Sequence, residues 1–352
     1  AKIVSNTSLS DLKSKGAVLI DFNSGTVLFE KNSHERLPIA SVTKIMSMLL
    51  IMEAIETGRI GYDTEVSVSE RASKTEGTSV WIETGEKYTV EELLKAVAIR
   101  SANDATVCLA EAIAGSEETF VEMMNEKAAE LGMKDTWFLD CTGLTDEGHY
   151  SSAYDVAVMS RALLKKHPEI TKYTTIWHDK FRENKPGKSI IDLDNTNKLV
   201  RFYEGTVGLK TGFTQKAGHC LSASAVRNGQ QFIAVVLGAP DSNTRFAECR
   251  KLLDYAFANF ETTKVNSIGE SVREIPVRKG LTPYVTAIFK EDVKLLLKKG
   301  KKGEIQRVAR FVENLTAPVA AGQKIGEITY LINDEEVGKA DLVAANNVPK
   351  AS

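Results

Sequence analysis

Long hydrophobic runs are missing from this chain. No uninterrupted apolar stretch of about 18 or more residues occurs in it, which excludes a membrane-spanning helix within these 352 residues. Cysteine is scarce. The four cysteines, Cys108, Cys141, Cys220 and Cys249, match no metal-ligand spacing, and no pair is close in sequence. Three of them lie in apolar surroundings, which reads as buried free thiols rather than disulfides. The five histidines are scattered and form no His-Glu-x-x-His, so neither a metal nor a cofactor is expected. An excess of one charge is also lacking. Lysine and arginine number 45 against 47 acidic residues, a net charge of -2, which argues against a nucleic-acid partner. No leader pattern is visible at Ala1-Lys2-Ile3-Val4, so the chain reads as cytosolic or as a trimmed, mature form. What is present, 43% hydrophobic and 26% charged residues, is ordinary globular composition with length for two domains.

The chain is organised around Leu37-Pro38-Ile39-Ala40-Ser41-Val42-Thr43-Lys44-Ile45-Met46. The apolar run that follows stops near Gly58 and is too apolar for a surface helix, so a helix buried on most faces is expected. Residues three apart share one side of a helix, so Ser41 and Lys44 point the same way. Burial makes the lysine costly to charge, and a neutral amine beside a hydroxyl can serve as its base. Unpaired N–H groups at the helix head suit a developing oxyanion. The same pair also fits a capping serine and a snorkelling lysine. Ser10-Asp11-Leu12-Lys13 repeats the spacing in a polar segment.

Before this stretch, Ala17–Asp21 and Thr26–Glu30 flank Asn23-Ser24-Gly25 as a β-hairpin. Glu65–Ser69 reads as a short strand and Thr75–Lys87 as a loop. Thr89-Val90-Glu91-Glu92 is a capping box opening a helix that breaks at Ser101-Ala102-Asn103. The helix resumes to Ile113, with Gly115 as its cap. The break places Ser101 and Asn103 in a cleft or at a cap. Thr119–Leu131 is an amphipathic helix, Thr142–Tyr150 a loop, and a further helix runs from Ser151 through Leu164. Lys180–Ser189 is expected as a strand pair turning at Pro186-Gly187. Val207–Thr214 precedes two strands joined by Arg227-Asn228-Gly229-Gln230, which puts Lys210 on or beside an antiparallel sheet. Glycine next to Lys210 lets a ligand approach the backbone. Arg245–Phe260 is the last long helix.

After Thr262 the texture turns to short β-like pieces: 271–277, 286–289, 293–297 and 324–332. Two domains are expected, residues 1–262 and a β-rich 263–352. The cluster Lys298-Lys299-Gly300-Lys301-Lys302 reads as a solvated turn, or else as a surface for an acidic polymer or a membrane.

Three short motifs occur in order: Ser41-Val42-Thr43-Lys44 at a helix head, Ser101-Ala102-Asn103 at a helix break, and Lys210-Thr211-Gly212 on a strand. Ser-x-x-Lys, Ser-Asp-Asn and Lys-Thr-Gly are a known signature of penicillin-binding proteins and class A β-lactamases, from which the middle motif departs. The chain resembles the low-molecular-mass penicillin-binding proteins of the D-alanyl-D-alanine carboxypeptidase type. The resemblance extends to the first hairpin, Leu37–Ser41, Asp146–Ser151, Asp241–Glu248 and the β-rich tail, essentially the whole chain. Ala102 departs mildly from the Ser-Gly-Asn usual in that family, adding a methyl that would reshape the cleft.

The resemblance implies an α/β (α+β) penicillin-binding, serine β-lactamase-like transpeptidase domain. Its antiparallel sheet carries helices on both faces, and a small all-β domain follows. It implies that Ser41 attacks the penultimate D-alanine carbonyl of peptidoglycan stem peptides and forms an acyl-enzyme, with Lys44 taking its proton. Ser101 would relay a proton to the departing nitrogen, and Asn103 would orient the substrate amide and Lys44. Lys210 would supply positive charge. Thr211 and Arg245 would bind the terminal carboxylate beside Gly212, and the N–H groups of Ser41 and Phe213 would form the oxyanion hole. β-Lactams would acylate Ser41. The resemblance also implies an extracytoplasmic enzyme on the outer face of the bacterial cytoplasmic membrane, held by a C-terminal anchor missing from this chain. A β-lactamase or esterase on the same fold, or a non-catalytic wall-binding protein, is the alternative. No glutamate is recognisable as a class A deacylating base, and all three motifs keep their reactive side chains.

Overall fold

The computed structural model describes residues 9–352. The start read for a leader, Ala1-Lys2-Ile3-Val4, lies outside the described residues. The chain divides into two compact units, the first ending at Ala256 and the second spanning Phe257–Ser352.

The first unit is built on an antiparallel sheet. Strands β1 (Gly16–Asp21) and β2 (Val27–Lys31) form the expected hairpin. A short 3-10 turn, Ala40–Thr43, then leads into α1 (Lys44–Glu56). Every residue of α1 from Lys44 to Met52 is buried, as its all-round apolar sequence requires. Next come β3 (Glu65–Ser67), α2 (Glu70–Ser73), β4 (Lys87–Thr89) and α3 (Val90–Lys95). The capping box forms between Thr89 and Glu92. Helices α4 (Asn103–Ala114), α5 (Glu117–Glu130), α6 (Ala153–Lys166) and α7 (Thr171–Thr174) follow.

Strands β5 (His178–Phe181) and β6 (Ile191–Asp194) pair, so the polar 182–190 is their connection. The strand pair thus overlaps the suggested segment only at Lys180 and Phe181 and otherwise flanks it, because Phe181 and Leu193 supply its buried contacts. Helix α8 (Leu199–Phe202) precedes β7 (Thr206–Thr214), β8 (Gly218–Arg227) and β9 (Gln230–Ala239). Asn228 and Gly229 both take positive φ in the tight β8–β9 turn. The sheet order is β2-β1-β9-β8-β7. One face joins α1 and α6 in the main core through Val18, Ile20, Ile233, Val235 and Leu237. Helix α9 (Ser242–Asn259) covers the other, with the Cys249 thiol donating to the Leu221 and Ala234 carbonyls.

The second unit contains β10 (Phe260–Asn266), β11 (Ser271–Pro276), β12 (Tyr284–Phe289), β13 (Val293–Lys298), β14 (Gln306–Phe311), β15 (Lys324–Ile332) and β16 (Glu335–Ala344). Strands β11, β12, β16, β15 and β14 form one sheet in that order, and β10 pairs with β13. Sequence reading missed β10, β14 and β16. Strand β14 is almost wholly exposed and β16 alternates imperfectly, so neither carries an apolar rhythm. The unit begins before the expected Thr263 because Phe260–Asn266 is a strand paired within it. In the basic cluster, the Lys299 N–H donates to the Asn259 carbonyl and its ammonium to that of Phe257, which satisfies the end of α9.

All four cysteines are buried as free thiols. Among the described residues no helix is long and apolar enough to cross a membrane.

Candidate active site

The Ser41 turn is clamped between two glycines. A Cβ on Gly143 would lie 1.8 Å from the Ala40 carbonyl oxygen. A Cβ on Gly212 would lie 2.9 Å from Ile39 O, Ser41 N and Val42 N. Only bare backbone lets the 139–149 loop and strand β7 approach so closely. Ala40 is held at φ +50, a conformation rare outside glycine, and Ser41 follows it at the head of the turn.

Lys44 opens α1 and is fully buried. Its Nζ lies 2.7 Å from Ser41 Oγ and 2.9 Å from Ser101 Oγ. Burial lowers its pKa to about 7, while the nearby Cys141 and Asp140 act weakly in the opposite sense. A large fraction of the amine is therefore neutral at physiological pH and able to accept the serine proton.

Ser101 reaches the same point from the other side. After α3 the chain widens into a π turn over Ala96–Arg100, and Ser101 ends it at φ +66. That left-handed residue turns the chain into α4 and brings its hydroxyl onto Lys44. The Asn103 N–H donates to Thr78 O and its Nδ2 to Glu76 O. Its Oδ1 is buried without a hydrogen-bond partner, an acceptor available to an amide N–H. The Ala102 methyl is fully buried in the main core, so it does not shape the cleft as the sequence suggested.

Lys210 lies on β7 with only 2% of its surface exposed, and its Nζ donates to Thr211 O. Burial holds its pKa well below the usual lysine value, and the positive charges of Lys44 and Arg245 push it further down. Thr211 Oγ1 donates to Thr196 Oγ1. Phe213 is half exposed, its ring 4.3 Å from that of His219. Arg245 Nη1 donates to Gly212 O at 3.0 Å. Burial lowers the Arg245 pKa, and its Nε is buried without a partner. Among the described residues no carboxylate lies within ion-pair distance of Lys210 or Arg245. Buried cations without anions favour an anionic ligand. The geometry thus brings Lys44 into direct contact with both Ser41 and Ser101 and places Gly212 against the Ser41 turn, with Arg245 behind it. Ser10 and Lys13 belong elsewhere: the Lys13 and Ser14 N–H groups donate to Glu248 on α9.

Several supporting residues were not found by sequence reasoning. His149 Nδ1 accepts the Leu139 N–H, so Nε2 carries the proton and donates to Thr43 Oγ1. Burial lowers the pKa of His149 and keeps it neutral. Ser47 Oγ, one turn beyond Lys44, donates to Cys141 O. Asp104 accepts the Val80, Ile82 and Ala105 N–H groups, which pins the 79–82 segment beside Asn103. None of these residues belongs to a motif, and only the turn-rich 142–150 segment hinted at the loop behind the catalytic helix.

Comparison with known proteins gives the family of the chain. Residues 2–241 match the family model described as D-alanyl-D-alanine carboxypeptidase. Residues 260–350 match the one described as penicillin-binding protein 5, C-terminal domain. The D-alanyl-D-alanine carboxypeptidase DacF of Bacillus subtilis (strain 168) is 44% identical over 340 residues, covering 96% of this chain and 87% of that protein. DacA of Haemophilus influenzae, also named a D-alanyl-D-alanine carboxypeptidase, is 34% identical over 342 residues, covering 95% of this chain and 85% of that protein. A crystal structure of penicillin binding protein 5 from Haemophilus influenzae superposes with a TM-score of 0.85 at 32% identity, covering 97% of this chain and 98% of that one.

Proposed function

We infer the roles of individual residues from one premise: the chain belongs to the D-alanyl-D-alanine carboxypeptidase family of penicillin-binding proteins. It is a serine-type carboxypeptidase that acts on peptidoglycan through an acyl-enzyme and reacts with β-lactams. The observation that carries the assignment of residues is the contact of Lys44 Nζ with both Ser41 Oγ and Ser101 Oγ.

Ser41 is the nucleophile. The neutral Lys44 amine takes its proton as Oγ attacks the penultimate D-alanine carbonyl. The oxyanion forms between the N–H groups of Ser41 and Phe213, a reading supported by the close approach of Gly212 to Ser41 N. One such donor is worth about 3 kcal/mol in the transition state. Ser101 passes a proton from Lys44 to the departing nitrogen, and D-alanine leaves. Asn103 orients the substrate amide through its free Oδ1. Thr211 and Arg245 receive the terminal carboxylate with Lys210 beside them, a role supported by the lack of any carboxylate within ion-pair distance of Lys210 or Arg245 among the described residues. Water then releases the acyl group. The reading is tested by Ser41→Ala, which should abolish D-alanine release from a D-Ala-D-Ala peptide while the thermal unfolding curve stays cooperative. Retained turnover would remove Ser41 from the mechanism.

Catalysis belongs to the first unit in this reading, with the β-rich unit from Phe257 onward a separate domain. The enzyme works at the outer face of the bacterial cytoplasmic membrane, held there by a C-terminal anchor outside these 352 residues.

A further inference from the structure

One wall of the site continues past the residues assigned above. The Asn103 N–H donates to Thr78 O at 2.8 Å, so the 76–82 segment runs directly from the Ser101-Ala102-Asn103 turn. Three residues beyond Thr78 stands Trp81, a large aromatic left 58% exposed. Its backbone takes φ +52, which is costly for a bulky side chain and persists only where surroundings enforce it. They do so on every side. Asp104 accepts the N–H groups of Val80 and Ile82, Ser79 Oγ accepts that of Trp81, and Arg182 donates to the Trp81 carbonyl at 2.8 Å.

The indole is fixed as well as the backbone. The Arg100 guanidinium lies 5.2 Å from the centre of its ring. Arg100 is itself tied down, donating to Ser79 O and to Asp192 O on β6. A cation stacked on an indole holds it while leaving much of the ring in water. Nothing in the reaction at Ser41 uses this arrangement, and no packing need explains an exposed tryptophan held in a strained conformation.

We propose that Trp81, backed by Arg100, is a binding platform for the part of the stem peptide N-terminal to the reacting D-Ala-D-Ala. The inference rests on the reading that the dipeptide lies between Asn103 and β7. A carboxypeptidase substrate ends at the D-alanine that leaves, so everything beyond the dipeptide extends N-terminally. Three residues of chain from Thr78 span roughly 10 Å, within reach of the next substrate residue and its side chain. A rigid indole offers contact area at low entropic cost. The chemistry it suits is a C–H-rich surface: the methylene chain of a long side chain, or the face of a sugar attached further along.

The test compares D-alanine release from three substrates. One is Nα,Nε-diacetyl-L-Lys-D-Ala-D-Ala, one is acetyl-Gly-D-Ala-D-Ala, and one is a pentapeptide carrying a muramyl sugar. For Trp81→Ala, the kcat/KM of the extended substrates relative to the glycine peptide should fall about tenfold, the worth of a methylene or two in an apolar contact. Trp81→Phe should recover most of that ratio. A fall confined to the lysine peptide assigns the contact to the side chain, and one confined to the muramyl peptide assigns it to the sugar. An unchanged ratio, or an equal fall for all three substrates, overturns the proposal. Acylation by 6-aminopenicillanic acid, which carries no acyl side chain, is measured alongside. A wild-type enzyme that forms no adduct would overturn the underlying reading of the site instead.

Discussion

In the proposed mechanism Lys44 takes the Ser41 proton, so its protonation state sets the acylation rate, and that makes the pH profile of acylation a quantitative prediction. The perturbation is pH, varied from 5 to 9. With a pKa of about 7, half of the amine is neutral at pH 7. The neutral fraction is then about 1% at pH 5 and about 99% at pH 9. The second-order acylation constant with a β-lactam should rise roughly 50-fold between pH 5 and 7, and only about twofold more by pH 9. A lysine of ordinary pKa would give a tenfold rise with each unit across the whole range. Lys210, also buried and shifted down, is coupled to Lys44. Lys210→Arg fixes that second charge, so the inflection should persist in the variant. Stopped-flow acylation reads the constants directly. A profile still climbing in proportion to hydroxide at pH 9, or an inflection that vanishes in Lys210→Arg, would refute the reasoning.

The same shift has a consequence for stability, with a definite sign. The folded pKa of about 7 lies below the 10.5 of an exposed lysine. Folding therefore favours loss of the proton, and stability falls as pH drops from about 10.5 to about 7. Lys44→Met should be more stable than wild type at pH 6, and the difference should shrink toward pH 10.

Gly212→Ala should cut acylation by about a hundredfold, because a new Cβ must push β7 off the Ser41 turn. Stopped-flow acylation checks this, and a loss under tenfold would mean that the turn yields. Asp104→Ala should destabilise the chain by about 2–4 kcal/mol, since it strands three buried N–H groups. Urea unfolding measures it, and a change below 1 kcal/mol would deny Asp104 its anchoring role. A chain ended after Asn259 should keep its acylation constant within twofold, and a larger loss would show that catalysis depends on the β-rich region.

Much of the site was legible because its chemistry demands particular side chains at short spacings. Ser41 and Lys44 three apart at the head of an apolar run, and the glycine beside Lys210, each state a local requirement. The capping box at Thr89 and the Asn228-Gly229 turn were legible for the same reason: backbone geometry restricts the residues that can serve. What the sequence hid is set by long-range contact. Gly143 looks like any loop glycine until the Ala40 carbonyl is found against it. His149 reaches the Thr43 hydroxyl and Asp104 the Val80 and Ile82 N–H groups, all far away in sequence, and no spacing rule records that. The polar strands β10 and β14 were missed because pairing, not hydrophobic rhythm, defines them. The Ala102 methyl was misjudged because sequence cannot say whether a small residue faces the cleft or the core.

The most direct test of the account is to quench the enzyme during turnover of diacetyl-L-Lys-D-Ala-D-Ala, and separately after benzylpenicillin, and to map the adduct by peptide mass. The account predicts D-alanine release from the peptide and a long-lived penicilloyl group on Ser41. An adduct on Ser10, or rapid hydrolysis of penicillin without D-alanine release, would contradict it.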